Sequence, residues 1–362
     1  SHRLIPMVER LPPALALAQG AWVKVIGGAS NQDLASLEDL AGLYTLAGAH
    51  CLDVAADRAV VTAVRRGMAW AQDRGAEAPW LMVSLSDGAD PHFRKAWFDP
   101  AACPPSCPRP CERVCPAEAI DAAGIREERC YGCGRCLPAC PRGLILERQS
   151  LLAPAAVVPL LQELAPDALE LHTRIGRRQA FVARLAQVQA AGIPLQRLAV
   201  SCGLEPGIPA DGGAAGGTPP EAAPSELAAE LWHRQAVVRA ADLTPLWQLD
   251  GRPMSGDVGA GTARAALKLA ARVGPLAPPG PLQLAGGTNG HTLPLLTAHG
   301  SPVPIAGVAF GGEARQRLQP LLLQAQARGQ RLLDCADLWP EALERARHLV
   351  EPWLSRRAPA RR

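Results

Sequence analysis

"WVKVIGGASNQDLASLEDLAGLYTLAGAHCLDVA", residues 22–55, reads as strand, helix, strand. "WVKVIGG" (22–28) is a short apolar run that ends in two glycines, as a buried strand does. In "NQDLASLEDLAGLYTLAG" (31–48), Leu34, Leu37, Leu40 and Leu43 recur at every third position after an acceptor-rich start. That is the period and the opening of an amphipathic helix. "HCLDVA" (50–55) is a second strand. A unit of this kind joins parallel strands, with its helix outside them.

The rhythm continues with the helix "AVVTAVRRGMAWAQ" (59–72) and the strand "PWLMVSLS" (79–86). A cysteine-rich block then interrupts it. Beyond the block, strands are expected in "ALELHTR" (168–174), "LQRLAVSCG" (195–203), "TPLWQLDG" (244–251), "GPLQLAGGTNG" (280–290) and "PIAGVAFGG" (304–312). Helices are expected in "VVPLLQEL" (157–164), "RRQAFVARLAQVQAAG" (177–192), "LAAELWHRQAVVRA" (227–240), "GTARAALKLAARV" (261–273) and "EARQRLQPLLLQAQARG" (313–329). Eight strands, each followed by a helix or helical turn, predict an α/β fold. Its expected form is a (β/α)8-like barrel with the cysteine module inserted after strand three. A doubly wound open parallel sheet is the alternative. The expected division is barrel (1–98), insert (99–148), remainder of the barrel (149–330), and a C-terminal helix with a basic tail (331–362). "EPGIPADGGAAGGTPPEAAPSE" (205–226) is expected to be a mobile loop. The tail "SRRAPARR" (355–362) reads as a frayed, solvated end or an anionic docking tag.

Hydrophobic residues make up 48% of the 362, enough for a sizeable core. A net charge of +3 gives no footprint for nucleic acid. No run of about 18 apolar residues is present, so no transmembrane segment is expected. "LPPALALAQGAW" (11–22) is broken by Pro12, Pro13 and Gly20 and lacks the features of a secretory leader. Residue 1 is serine, as expected of a trimmed N-terminus. The chain reads as cytoplasmic.

Eight of the 11 cysteines fall between positions 103 and 140. Structural disulfides are disfavoured in a reducing compartment, and metal or cluster ligation leads. "CYGCGRCLPACP" (130–141) places Cys130, Cys133, Cys136 and Cys140 before Pro141. This is the C-x2-C-x2-C-x3-C-P spacing of a bacterial-type [4Fe–4S] site. "CPPSCPRPCERVCP" (103–116) repeats it with Cys103, Cys107, Cys111 and Cys115 before Pro116, its first two gaps one residue wider. "CPAEAI" matches "CPRGLI", and "DAAGIREER" between them suits a hairpin turning at Gly124. A ferredoxin-like module with two [4Fe–4S] clusters follows. In such modules the fourth cysteine of each run serves the other cluster. One cluster then takes Cys103, Cys107, Cys111 and Cys140, and the other Cys130, Cys133, Cys136 and Cys115. Zinc is the alternative, although its sites usually come as spaced C-x2-C pairs. Disulfides are a further one. The widened run, stiffened by Pro104, Pro105, Pro108 and Pro110, is expected to hold the more labile cluster, or a three-iron one.

The chain resembles the LdpA family, the light-dependent period proteins of cyanobacteria. The resemblance is carried by "CPPSCPRPCERVCPAEAI" (103–120), "CYGCGRCLPACP" (130–141), "PLWQLDGRPMSGDVGAGTARAALKLA" (245–270) and "QLAGGTNGHT" (283–292), and it spans nearly the whole length. It implies an iron–sulfur protein that reports light-dependent redox state to the circadian clock, with KaiA and CikA as partners. An electron donor or acceptor protein, or the quinone pool, is a further expected partner. No catalytic residue follows from it.

Barrel sites lie at the C-terminal ends of strands, and phosphate often binds after strands seven and eight. Gly286, Gly287 and Asn289, and Gly311 and Gly312, stand there, with Arg252 in a neighbouring loop. They could cradle FMN or another phosphorylated ligand, or merely turn the chain. Lys24, Asp53, Ser84, His172, Cys202, Asp250 and Asp257 are further polar residues expected near strand ends, while Cys51, Cys202 and Cys335 suit the core. Two functions follow: a redox-sensing or electron-transfer protein, or an FMN-dependent barrel oxidoreductase fed by its own clusters.

Overall fold

The computed structural model describes residues 9–149, 151–205, 221–251 and 259–357. Most of the expected loop at 205–226, together with Arg252 and Asp257, lies outside them. Twelve strands follow in chain order. They are β1 (Trp22–Gly28), β2 (Cys51–Ala55), β3 (Trp80–Ser86), β4 (Arg94–Trp97), β5 (Ile120–Asp121), β6 (Gly124–Ile125), β7 (Leu146–Gln149), β8 (Ala168–His172), β9 (Arg197–Cys202), β10 (Pro245–Asp250), β11 (Leu282–Ala285) and β12 (Gly307–Phe310).

Eight of them close into a parallel barrel in the order β1-β12-β11-β10-β9-β8-β3-β2. These are the eight strands read from the sequence, and closure excludes the open sheet. The seam between first and last strands depends on Gly307, which pairs with Trp22. A Cβ there would lie 2.2 Å from the Trp22 carbonyl oxygen, so a larger residue would push β12 off β1. Asp33 caps the helix Leu34–Leu46, and Asp57 caps Arg58–Gln72 by accepting from the Val60 amide at 3.0 Å. Each satisfies a helix N–H that would otherwise lack a partner.

The floor of the barrel is apolar: Trp22, Cys51, Met82, Ala168, Ala199 and Leu246 pack with Ala16 and Leu17 of the helix Pro13–Gln19. Outside the barrel, the C-terminal helix Trp339–Leu354 lies against Leu34–Leu46. That covering explains why Leu34–Leu46 is buried from Ser36 to Leu46, Asp39 included. Asp39 accepts the Leu332 and Leu333 amides at 2.9 and 3.0 Å. The tail is not frayed at Arg356, which reaches the carbonyls of Gly20 and Ile305 at 2.6 and 2.7 Å and is tied there to the barrel floor. No described helix is long and apolar enough to cross a membrane.

The insert leaves the barrel after β3 and returns before β8. β4 pairs antiparallel with β7, and β5 with β6. The second pair is the expected hairpin, turning at Ala122–Ala123 with Gly124 just after it at φ +122°.

Candidate functional site

Two short helices carry cysteines in the insert: Pro110–Arg113 includes Cys111, and Cys136–Ala139 begins at Cys136. The order is strand, helix, strand, repeated once (β4 to β5, then β6 to β7). The repeat extends to single hydrogen bonds. The Ala119 amide points at Cys115 Sγ at 3.3 Å, and the Leu144 amide at Cys140 Sγ at 3.4 Å. Each follows its cysteine by four residues after a Cys-Pro pair, so the matching "CPAEAI" and "CPRGLI" fold alike.

Four cysteines surround each of two cavities. One is lined by Cys115, Cys130, Cys133 and Cys136 among Ala96, Ile120, Ile125 and Leu137. The other is lined by Cys103, Cys107, Cys111 and Cys140 beside Phe98, Leu144 and Ile145. In both, the fourth sulfur belongs to the other run. Burial, and then Cys133, Cys130 and Cys115 beside it, push the Cys136 thiol up to about 12. Thiolates packed this closely repel one another unless positive charge stands among them, which cluster iron supplies. The donor set therefore fits an iron–sulfur cluster in each cavity. A third amide, Ala96 on β4, points at Cys130 Sγ at 3.3 Å. N–H groups aimed at ligand sulfurs favour the more negative, reduced form of such a group.

The cavities differ in setting. Three of the four cysteines of the first, Cys103, Cys107 and Cys140, are half-buried and Cys111 is buried, whereas in the second Cys130 and Cys136 are buried and Cys115 and Cys133 half-buried. The loop from Cys130 to Cys133 lies on the C-terminal rim of the barrel. Glu128 O accepts the Gln32 amide at 2.8 Å, and Lys95 Nζ donates to Gln32 Oε1 at 3.1 Å. Arg315 donates to Gly27 O at 2.6 Å and stands over the Tyr131 ring.

Above its apolar floor the barrel interior is polar. Lys24 Nζ donates to Asp53 Oδ2 at 2.7 Å and to Glu170 Oε2, and all three are buried. Ser84 Oγ donates to Asp53 Oδ1 at 2.8 Å. Gln248 Nε2 donates to Glu170 Oε1 at 2.8 Å, and Gln283 Nε2 to Gln248 Oε1 at 2.6 Å. Trp22 Nε1 closes the chain on Gln283 Oε1 at 2.5 Å. Burial and then the Glu170 charge raise Asp53, while Lys24 and His172 outweigh burial and hold Glu170 well below the usual carboxylate range. One negative charge thus faces Lys24 in full. At the mouth, burial opposes a charge on His172, but Glu170, Asp90 and Asp250 raise it to about 9.

Lys24 and Asp53, expected near strand ends, therefore sit inside the barrel, whereas His172 and Asp250 do end their strands. Cys51, Cys202 and Cys335 are buried, as core cysteines are. Gly286 and Gly287 turn the chain at φ +71° and +84°. Asn289 is buried and spends its amide nitrogen on Gly259 O, Thr262 Oγ1 and Gly287 O at 2.8, 3.1 and 3.0 Å. Gly311 and Gly312 open the helix Gly312–Ala327, whose first turn carries Glu313 in an ion pair with Arg317 at 2.7 Å. Sequence reading missed Asp90, His92, Glu170, Gln248 and Gln283. The signal for two of them, Glu170 and Gln248, was present: polar residues recur at every second position in "ALELH" and "PLWQLD", the inward-facing positions of barrel strands.

Comparison with known proteins bears on both parts of the chain. The light dependent period A C-terminal domain family matches residues 160–352, and the LdpA Fe-S cluster-binding domain family matches residues 103–151. Light dependent period A of Synechococcus elongatus (strain PCC 7942) is 46% identical over 341 residues, covering 92% of this chain and 90% of that protein. Among solved structures, (S)-3-O-geranylgeranylglyceryl phosphate synthase from Thermoplasma acidophilum is 11% identical with a TM-score of 0.38, covering 91% of each chain. Truncated 3-deoxy-D-arabino-heptulosonate 7-phosphate synthase from Thermotoga maritima is 12% identical with a TM-score of 0.39, covering 86% of this chain and 89% of that one. The chain belongs to the light dependent period A family and carries that family's iron–sulfur cluster-binding domain.

Proposed function

We propose that this member of the light dependent period A family is a two-cluster, ferredoxin-like redox sensor of the cytoplasm that conveys light-dependent redox state to the circadian clock. The observation that carries the reading is the pair of cavities, each lined by four cysteines, with Cys140 in one and Cys115 in the other. Bound there, [4Fe–4S] clusters would supply one-electron chemistry at potentials set by their hydrogen bonds and solvent exposure. The protein's own part is to set those conditions differently. Half-buried Cys103 and Cys107 leave the first site open to a donor, an acceptor or the quinone pool. Buried Cys130 and Cys136 join the second to the barrel rim through Tyr131 and Arg315. Clock-input proteins of the KaiA and CikA kind would then bind one redox state in preference to the other.

A potentiometric EPR titration of anaerobically purified protein tests the reading. Two reversible one-electron transitions at physiological potentials are expected. Clusters that stay in one state across that range would end it. An FMN-dependent barrel oxidoreductase fed by the clusters is the second reading, favoured by the polar barrel interior around Lys24 and Glu170. A flavin assay by mass spectrometry on the same sample separates the two.

A further inference from the structure

Outside the cysteine block, one cluster of side chains among the described residues brings together the ligand types of a metal site. The loop after β3 turns at Asp90, whose Oδ1 accepts the His92 amide at 2.9 Å and stands 2.6 Å from His92 Nδ1. His172 ends the neighbouring strand β8, which pairs parallel with β3. Asp90, His92 and His172 each bring one ligand atom within 4.8 Å of the other two. The two imidazole centroids are 4.7 Å apart.

The supporting contacts suit coordination. His172 Nε2 is turned to Glu170 Oε1 at 3.0 Å, so Nδ1 is the nitrogen that a metal would take. A carboxylate behind a ligating histidine fixes the ring and its tautomer in metal sites. The Phe93 ring meets His172 edge-on at 5.3 Å and limits its rotation. Asp90 and His172 are buried, so neither loses much freedom on binding. Arg174 is the competing cation, but its Nε stands 3.5 Å from Asp90 Oδ2, longer than a good hydrogen bond. A dication would displace two protons, the one between Asp90 and His92 and the one on His172 Nδ1. Glu170 and Asp250 lie nearby to balance it, against Lys24 and Arg174.

We propose that Asp90, His92 and His172 form a mononuclear site for a transition-metal dication, Zn²⁺ or Fe²⁺, at the mouth of the barrel. Two imidazoles and one carboxylate are a donor set of catalytic zinc and non-haem iron sites, and they leave positions open for water or a small ligand. The site is independent of the cysteines. It is nevertheless adjacent to them: Arg94, two residues after His92, donates through Nε to Gly132 O at 3.0 Å in the Cys130–Cys133 loop.

The test uses full-length protein with its cysteine sites loaded with iron and sulfide, so that thiolates do not compete. The probe is Zn²⁺ alone. After gel filtration, about one retained zinc per chain is expected, with an X-ray absorption edge showing nitrogen and oxygen at about 2.0–2.1 Å and no sulfur near 2.3 Å. His172→Ala and His92→Ala should each weaken retention at least tenfold with iron content unchanged. His92 is only partly buried, so His92→Ala keeps the test alive if His172→Ala does not fold. No retained zinc, a sulfur shell, or equal retention by the folded variants would overturn the assignment.

Discussion

The Arg315 guanidinium stands 5.7 Å from the centroid of the Tyr131 ring, joining the helix after the last barrel strand to the loop between Cys130 and Cys133. Arg315 also holds Gly27 O, and Tyr131 lies beside Gly28, so three chain segments meet at one half-buried cation. A cation–π contact at a half-buried site is worth about 1–2 kcal/mol. Arg315→Ala should therefore lower insert stability by about that amount and speed iron loss from the second cavity severalfold, read by timed iron release to a chelator. Unchanged release would show that the contact does not brace the site.

Gly132→Ala probes the same loop from the other side. Gly132 has φ +76°, and a Cβ on it would lie 2.3 Å from Arg94 O and 2.7 Å from Pro91 O. The backbone strain alone costs about 1–3 kcal/mol, before the clash moves β4. The variant should lose the iron of the second cavity while far-UV circular dichroism shows the barrel intact. Full iron content would mean that the loop adapts.

Acid sensitivity should trace to His50. Its Nδ1 accepts the Val23 amide at 3.0 Å, and its ring stacks on Trp22 at 5.8 Å. Burial, with Arg10 nearby, pushes it down to about 3. The sign follows: the unfolded chain takes up a proton near pH 6.5 and the folded chain does not. Stability is therefore full above about 6.5 and is lost as pH falls toward about 3. At 1.36 kcal/mol per pH unit the loss is on the order of 3 kcal/mol by pH 4. His172, raised to about 9, contributes in the opposite sense, fully below about 6.5 and lost as pH rises through 9, and is nearly flat in this window. Urea denaturation of wild type and His50→Gln at pH 6.5 and 4 should show a shallower loss in the variant. Parallel slopes would assign the acid loss elsewhere.

Eight strands were legible because each is a short apolar run bounded by glycine or a turn, and a parallel barrel buries both strand faces. The likeness of the two cysteine runs was legible as well, since both end in Cys-Pro and then an apolar pair closed by isoleucine, Ala119-Ile120 and Leu144-Ile145. The charges inside the barrel were not. Lys24 on β1 and Glu170 on β8 are far apart in sequence, and only closure makes them partners. Asp90 and His92 lie in a loop with no period, so nothing marked them before His172 was placed beside them.

The first cavity should fail before the second in air. Cys103 and Cys107 are half-buried and flanked by Pro104 and Pro105, whereas Cys130 and Cys136 are buried. Iron per chain should fall from about eight to a plateau near four. The remaining EPR signal should match that of a Cys103→Ser, Cys107→Ser, Cys111→Ser variant. A signal surviving instead from the Cys103 side would reverse the order.

That triple variant also carries the sharpest test of the account, because it leaves one cavity complete. Adding Cys140→Ser should leave its iron and sulfide unchanged, at about four iron atoms per chain. Adding Cys115→Ser instead should abolish them, since Cys115 lines the cavity of Cys130, Cys133 and Cys136. The reverse result, iron lost with Cys140→Ser and kept with Cys115→Ser, would contradict the exchange of fourth ligands and with it the two-cluster design.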